Sequence, residues 1–401
     1  AESNKWDVGE TANFIIGAEA EATTFVSGDI VTFDDNATTK SVSVSTEVYP
    51  STVLVSNTGN YVFSGTGAIS GTASLIKEGT GTLTINNENS YTGGTSLVAG
   101  TTKVKKLANQ YSATGNLGGV TTKASQFIIG DGATLMTTAA VEQGSPMQMT
   151  GDEGGNINNQ ADFIAAKAIT GTKLTKKGSG WLKLTANNSG LTRLVIMAGT
   201  VQCQGITTPA NTVEFQGGTL NESAGSGYTI DVPEGKTGNW YMANRSTYSN
   251  KVTGKGTLNA YCVTEKGTNY YATRTPIQCN FSAFEGTLKP LSSLDGDVKR
   301  FTLNTSTGMP KGTMNIAADV EVQNSGKTFR IGKVTGSGKL GGSCTFSNGA
   351  SVGANTWQVG NDDDWSTSVK VTSNANFAKV GSGRITWNSV NDNTGSTTIR
   401  R

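Results

Sequence analysis

The chain has 401 residues, of which 15% are charged, with 32 basic against 30 acidic side chains, 52 glycines, 7 prolines and no histidine. A net charge of +2 gives no electrostatic reason for a nucleic-acid or anionic-membrane partner. The lack of histidine removes Ser-His-Asp and Cys-His nucleophile systems and histidine-bound metals.

Gly, Thr, Ser and Asn are abundant and are poor helix formers, so the predicted elements are short strands separated by many turns. Hydrophobic residues (35%) fall in short patterned runs, which argues against disorder. No apolar run approaches the roughly 20 residues that span a bilayer. The opening Ala1-Glu2-Ser3 reads as a mature end after signal removal or as an arbitrary boundary. From Trp6 to Phe33 a lead-in precedes the repeats, with aromatic residues at Trp6, Phe14, Phe25 and Phe33. This stretch is the expected cap of a strand edge that would otherwise aggregate, with residues 1–70 forming the cap and first turns.

Residues 71–227 carry a repeat. Leu75-Ile76-Lys77-Glu78-Gly79-Thr80-Gly81-Thr82-Leu83 aligns without gaps with Leu174-Thr175-Lys176-Lys177-Gly178-Ser179-Gly180-Trp181-Leu182, at an offset of 99. The match runs through Asn89-Ser90 and Asn188-Ser189 to Ala99-Gly100-Thr101 and Ala198-Gly199-Thr200, with 10 of 30 positions identical. In both copies apolar residues alternate with polar ones, the period of a half-buried strand. The Gly-x-Gly pair supplies a corner, and Asn-rich runs supply the next turn. Strands of about five residues between such corners coil into a stack of rungs, each burying its neighbour's inward side chains. The predicted fold is therefore all-β, a parallel β-helix (solenoid) with irregular rungs, and a string of β-sandwiches is the rival.

The Lys-Glu-Gly-Thr-Gly-Thr-Leu, Asn-Ser-Tyr-Thr-Gly-Gly-Thr and Ala-Gly segments between Lys77 and Gly100 resemble the autotransporter-associated β-strand repeat, also called the passenger-associated transport repeat. In the second copy Gly190-Leu191-Thr192-Arg193 departs from that pattern. The resemblance implies a right-handed β-helix in a secreted or cell-surface protein of a Gram-negative bacterium. It carries no catalytic residues to transfer.

Residues 228–290 have the least repeat regularity and read as an irregular, aromatic-rich insertion or set of loops. Trp240, Tyr241, Tyr270 and Tyr271, with Arg245 nearby, are the candidate glycan-binding residues, because sugars stack on exposed rings. The plainer reading places these rings over irregular core. Of the four cysteines, Cys262 and Cys279 are close enough in sequence for one local disulfide; burial as small apolar side chains is the other reading.

Residues 291–401 resume the β-helix. Asp362-Asp363-Asp364 offers hard oxygen ligands of the kind Ca²⁺ takes, or else a solvated loop. A third copy, Phe377-Ala378-Lys379-Val380-Gly381-Ser382-Gly383, reaches Arg401 mid-repeat, so further domains of the same parent protein are expected. Two function classes follow. One is a non-enzymatic stalk or adhesin-like scaffold whose partner is a polysaccharide or a host or plant glycan. The other is a polysaccharide lyase or related carbohydrate-active β-helix enzyme, which needs acidic residues converging on one face.

Overall fold

A computed structural model describes residues 4–16, 21–203, 208–223, 225–243, 247–263, 277–292, 299–343 and 353–400. The chain divides into two units, Ala1–Val201 and Gln202–Arg401. Each is a parallel β-solenoid. Among the described residues the only helical segment is the 3-10 turn Ala124–Gln126, and no helix is long and apolar enough to cross a membrane.

In the first unit, Thr52–Ser56, Ser74–Glu78, Gly94–Leu97, Phe127–Gly130 and Met147–Thr150 lie side by side in parallel register. A second row runs Tyr61–Ser64, Thr82–Ile85, Thr101–Val104, Thr134–Thr137 and Gly155–Asn159. Ile169–Lys177 bends at Gly171, whose φ is +109°, and so joins both rows. A third row holds Val141–Gln143, Phe163–Ala165 and Trp181–Leu184. The alternation seen in the sequence decides what is inside. In Thr82–Ile85, Leu83 and Ile85 are buried while Thr82 and Thr84 face outward.

At the start of this unit, Trp6, Phe14, Phe25, Phe33 and Phe63 pack edge to face or tilted at centroid distances of 4.8–6.3 Å. Lys5–Trp6 pairs with Ser41–Val44, and Phe14–Ile16 with Glu21–Thr23 forms an antiparallel hairpin.

In the second unit the longest row runs from Thr219–Glu222 through Thr237–Ala243, Thr257–Val263, Thr287–Ser292, Met309–Ile316, Thr328–Gly336, Thr356–Val359 and Asn376–Lys379 to Thr397–Ile399. The described part of residues 228–290, expected to leave the solenoid, thus supplies some of its longest rung strands. Seven residues of Thr237–Ala243 pair in unbroken register with Thr257–Val263.

Candidate functional site

What recurs is a corner built around a buried lysine. Lys77 and Lys176 occupy the same place in their repeats, and both are fully buried. The Lys77 ammonium donates to the carbonyls of Glu78, Gly79 (2.9 Å) and Ala99 (3.4 Å). The Lys176 ammonium donates to Lys177 (2.7 Å), Gly178 (2.8 Å) and Ala198 (3.2 Å). Two acceptors belong to the lysine's own turn and the third to the following rung, so each charge bridges two rungs. Burial pulls both ammonium groups down to about 8, which leaves them charged at neutral pH. In the third copy, the Lys379 ammonium donates to Gly381.

The glycines are required by the same geometry. Gly79, Gly178 and Gly381 have φ of +68°, +76° and +80°. A Cβ on Gly199 would sit 2.6 Å from the Gly178 and Gly180 carbonyls and 2.7 Å from Lys176 Nζ. A second recurring bond faces the preceding rung. The side-chain carbonyls of Asn89, Asn188 and Asn391 accept the backbone N–H of Ile69 (2.9 Å), Ile169 (2.7 Å) and Val371 (2.8 Å). The repeat therefore holds the rung behind with asparagine and the rung ahead with lysine.

With that geometry in hand, the comparison with known families is decisive for the repeat. Residues 75–104 and 174–202 match the passenger-associated-transport-repeat. Each matched segment contains one complete lysine corner and its asparagine. No curated protein and no solved structure matches the chain.

Of the candidate glycan residues, the two that are described, Trp240 and Tyr241, face opposite sides of Thr237–Ala243. Trp240 is 1% exposed and its indole N–H donates to Glu222 Oε1 at 2.6 Å, so its ring has no face free to stack on a sugar. Tyr241, its chain neighbour, points outward, because adjacent strand residues face opposite sides. It stacks on Tyr261 with ring centroids 4.2 Å apart and planes 3° from parallel. Arg245, Tyr270 and Tyr271 lie outside the described residues. Beside the tyrosines, Asn259 Nδ2 donates to Asn239 Oδ1 at 2.9 Å, and Lys289 is next in that column.

The carboxylates of Asp362, Asp363 and Asp364 are exposed and brace turns. Asp362 accepts from the backbone N–H (3.1 Å) and hydroxyl (2.8 Å) of Ser382. Asp363 accepts from the Asn361 amide at 2.9 Å. Asp364 accepts from the Arg384 backbone N–H at 2.6 Å. Hydrogen bonds from Ser382 hold the Asp362 carboxyl below its ordinary range. Among the described residues, no three of His, Cys, Asp and Glu gather as metal ligands would. Cys279 carries a free, buried thiol, and the side chain of Cys262 lies outside the described residues.

Sequence reasoning missed three buried ionisable positions, Lys77, Lys176 and Glu222. Lysine at 77 and 176 was signalled only by its recurrence before Gly-x-Gly. Glu222 was signalled by its place two residues after Leu220, on the same inward side of Thr219–Glu222.

Proposed function

We propose that this chain is a rigid, non-enzymatic module of a secreted or surface-displayed protein of a Gram-negative bacterium, which offers its outward sheet faces to a polysaccharide or a host or plant glycan. The observation that carries the reading is the coincidence of the two matched repeat segments with cross-braced solenoid rungs. Rungs pinned by buried charges favour a stiff scaffold over a mobile active site. Their outward rows of Thr, Asn and Tyr suit hydrogen bonding to neutral sugars. The contact face is the Asn239–Asn259 and Tyr241–Tyr261 ladder, with Lys289 at its side. A polysaccharide lyase would instead call for converging acidic groups, and the grouped aspartates are each engaged in turns.

Affinity electrophoresis through gels containing neutral and uronic-acid polysaccharides tests the reading. The expected result is retardation by one polymer, lost when Tyr241 and Tyr261 are both replaced by Ala. Migration unretarded on every gel would overturn the glycan reading.

A further inference from the structure

Unit 2 encloses a carboxyl group that the scaffold reading does not use. Glu222 is 1% exposed. Its Oε1 accepts from the Trp240 indole N–H and its Oε2 from the Tyr228 hydroxyl, both at 2.6 Å. Its backbone carbonyl accepts from the Tyr248 hydroxyl at 3.0 Å, and that hydroxyl in turn accepts the Ala243 backbone N–H at 2.8 Å. Tyr248 stands edge-on to Trp240 with centroids 5.5 Å apart. The ionisable groups that face the carboxyl from the packed elements are Cys203, Tyr228 and Cys279. Every one of them is neutral or negative, and none can offset a buried negative charge. Among the described residues no lysine or arginine pairs with it. Asn250 is also buried there, and its Oδ1, which has no hydrogen-bond partner among the described residues, adds a further acceptor dipole.

We propose that Glu222, Tyr228 and Trp240 form a proton-operated switch, closed around a neutral carboxyl and loosened when that carboxyl gives its proton to solvent. In the closed state the 2.6 Å contact between Oε2 and the Tyr228 oxygen serves in either direction, so a protonated Oε2 donates to the phenol. Loss of the proton leaves a carboxylate with two neutral donors in an apolar core, which is costly without a cation. Water entry or local opening relieves that cost, and either one changes the surroundings of the Trp240 indole. Desolvation raises the Glu222 carboxyl to about 7, which puts the event near neutral pH. This inference is independent of what the outward faces bind.

The test is a titration of the full chain by NMR of ¹⁵N-labelled tryptophan, from pH 5 to 9, with the Trp240 indole resonance assigned through Trp240→Phe. The wild-type Trp240 signal is expected to move with a midpoint near 7, and Glu222→Gln to hold it still. A Trp240 signal that is flat in the wild type, or that still titrates in Glu222→Gln, overturns the proposal. Tyr228→Phe keeps the test alive if the Gln variant does not fold. It removes the phenol from both forms, but the charge-assisted bond to the carboxylate is the stronger of the two, so the midpoint should rise by about one pH unit. An unmoved or lowered midpoint overturns the proposal equally.

Discussion

Replacing Lys77 with Met removes a buried charge while keeping a similar volume, and two large effects oppose each other. Burial lowers the Lys77 ammonium from 10.5 to about 8, so its desolvation costs the fold about 3 kcal/mol, which Met would recover. Against this, Met leaves the carbonyls of Glu78, Gly79 and Ala99 without their donor. Hydrogen bonds to a charged group contribute about 1.5–3 kcal/mol each, and the 3.4 Å contact to Ala99 belongs at the weak end. The lost bonds sum to about 5 kcal/mol, so the carbonyls win and Lys77→Met should destabilise unit 1 by about 2 kcal/mol. Lys176→Met should behave alike, since its three acceptors lie within 3.2 Å. The assay is guanidinium denaturation of the whole chain, paired with hydrogen exchange. Exchange should accelerate at Gly94–Leu97 and Thr101–Val104 in the first variant and at Leu191–Ile196 in the second. A Met variant as stable as the wild type would refute the reasoning, because it would mean that desolvation outweighs the cage.

Glycine substitutions should separate crowding from backbone strain. Gly79→Ala places a Cβ against the Asn57 backbone at φ +68° and should cost at least about 2 kcal/mol, whereas Gly28→Ala, with φ +98° and open space, should cost only about 1 kcal/mol in the same denaturation assay. Glu222 should make unit 2 more stable in acid. Below pH 4.5 the carboxyl is neutral whether folded or unfolded, while between 4.5 and about 7 only the folded state keeps its proton. Stability should therefore fall by about 3 kcal/mol as pH rises through that window and then level off, and Glu222→Gln should flatten the profile in pH-dependent melting. Deleting residues 1–35 strips Trp6, Phe14, Phe25 and Phe33 from the aromatic cluster around Phe63, and light scattering should detect aggregation; a soluble, cooperatively unfolding monomer would contradict this.

The period-two pattern of Thr82-Leu83-Thr84-Ile85 and the glycines around it were enough to predict stacked parallel strands, because each neighbouring residue changes face. The same rule, applied to Thr237–Ala243, separates Trp240 from Tyr241: Gly238, Trp240 and Met242 form one buried set. Grouping the two rings by adjacency in the sequence concealed this. The lysine corner was harder to see. A charged residue in a half-polar strand ordinarily faces water, and only closure of the chain brings the Ala99 and Ala198 carbonyls to the ammonium, 22 residues away. Glu222 was hidden for the same reason, since its partners Tyr228 and Trp240 come from later segments. The turn-bracing role of Asp362 depends on Ser382, 20 residues on and one rung away.

The central claim, a rigid module displayed outside the cell, is tested most directly by antibody labelling of intact cells of the bacterium that makes the protein, compared with permeabilised cells. The account predicts labelling of intact cells or recovery of the protein from the medium. Labelling that requires permeabilisation, with none in the medium, would contradict it.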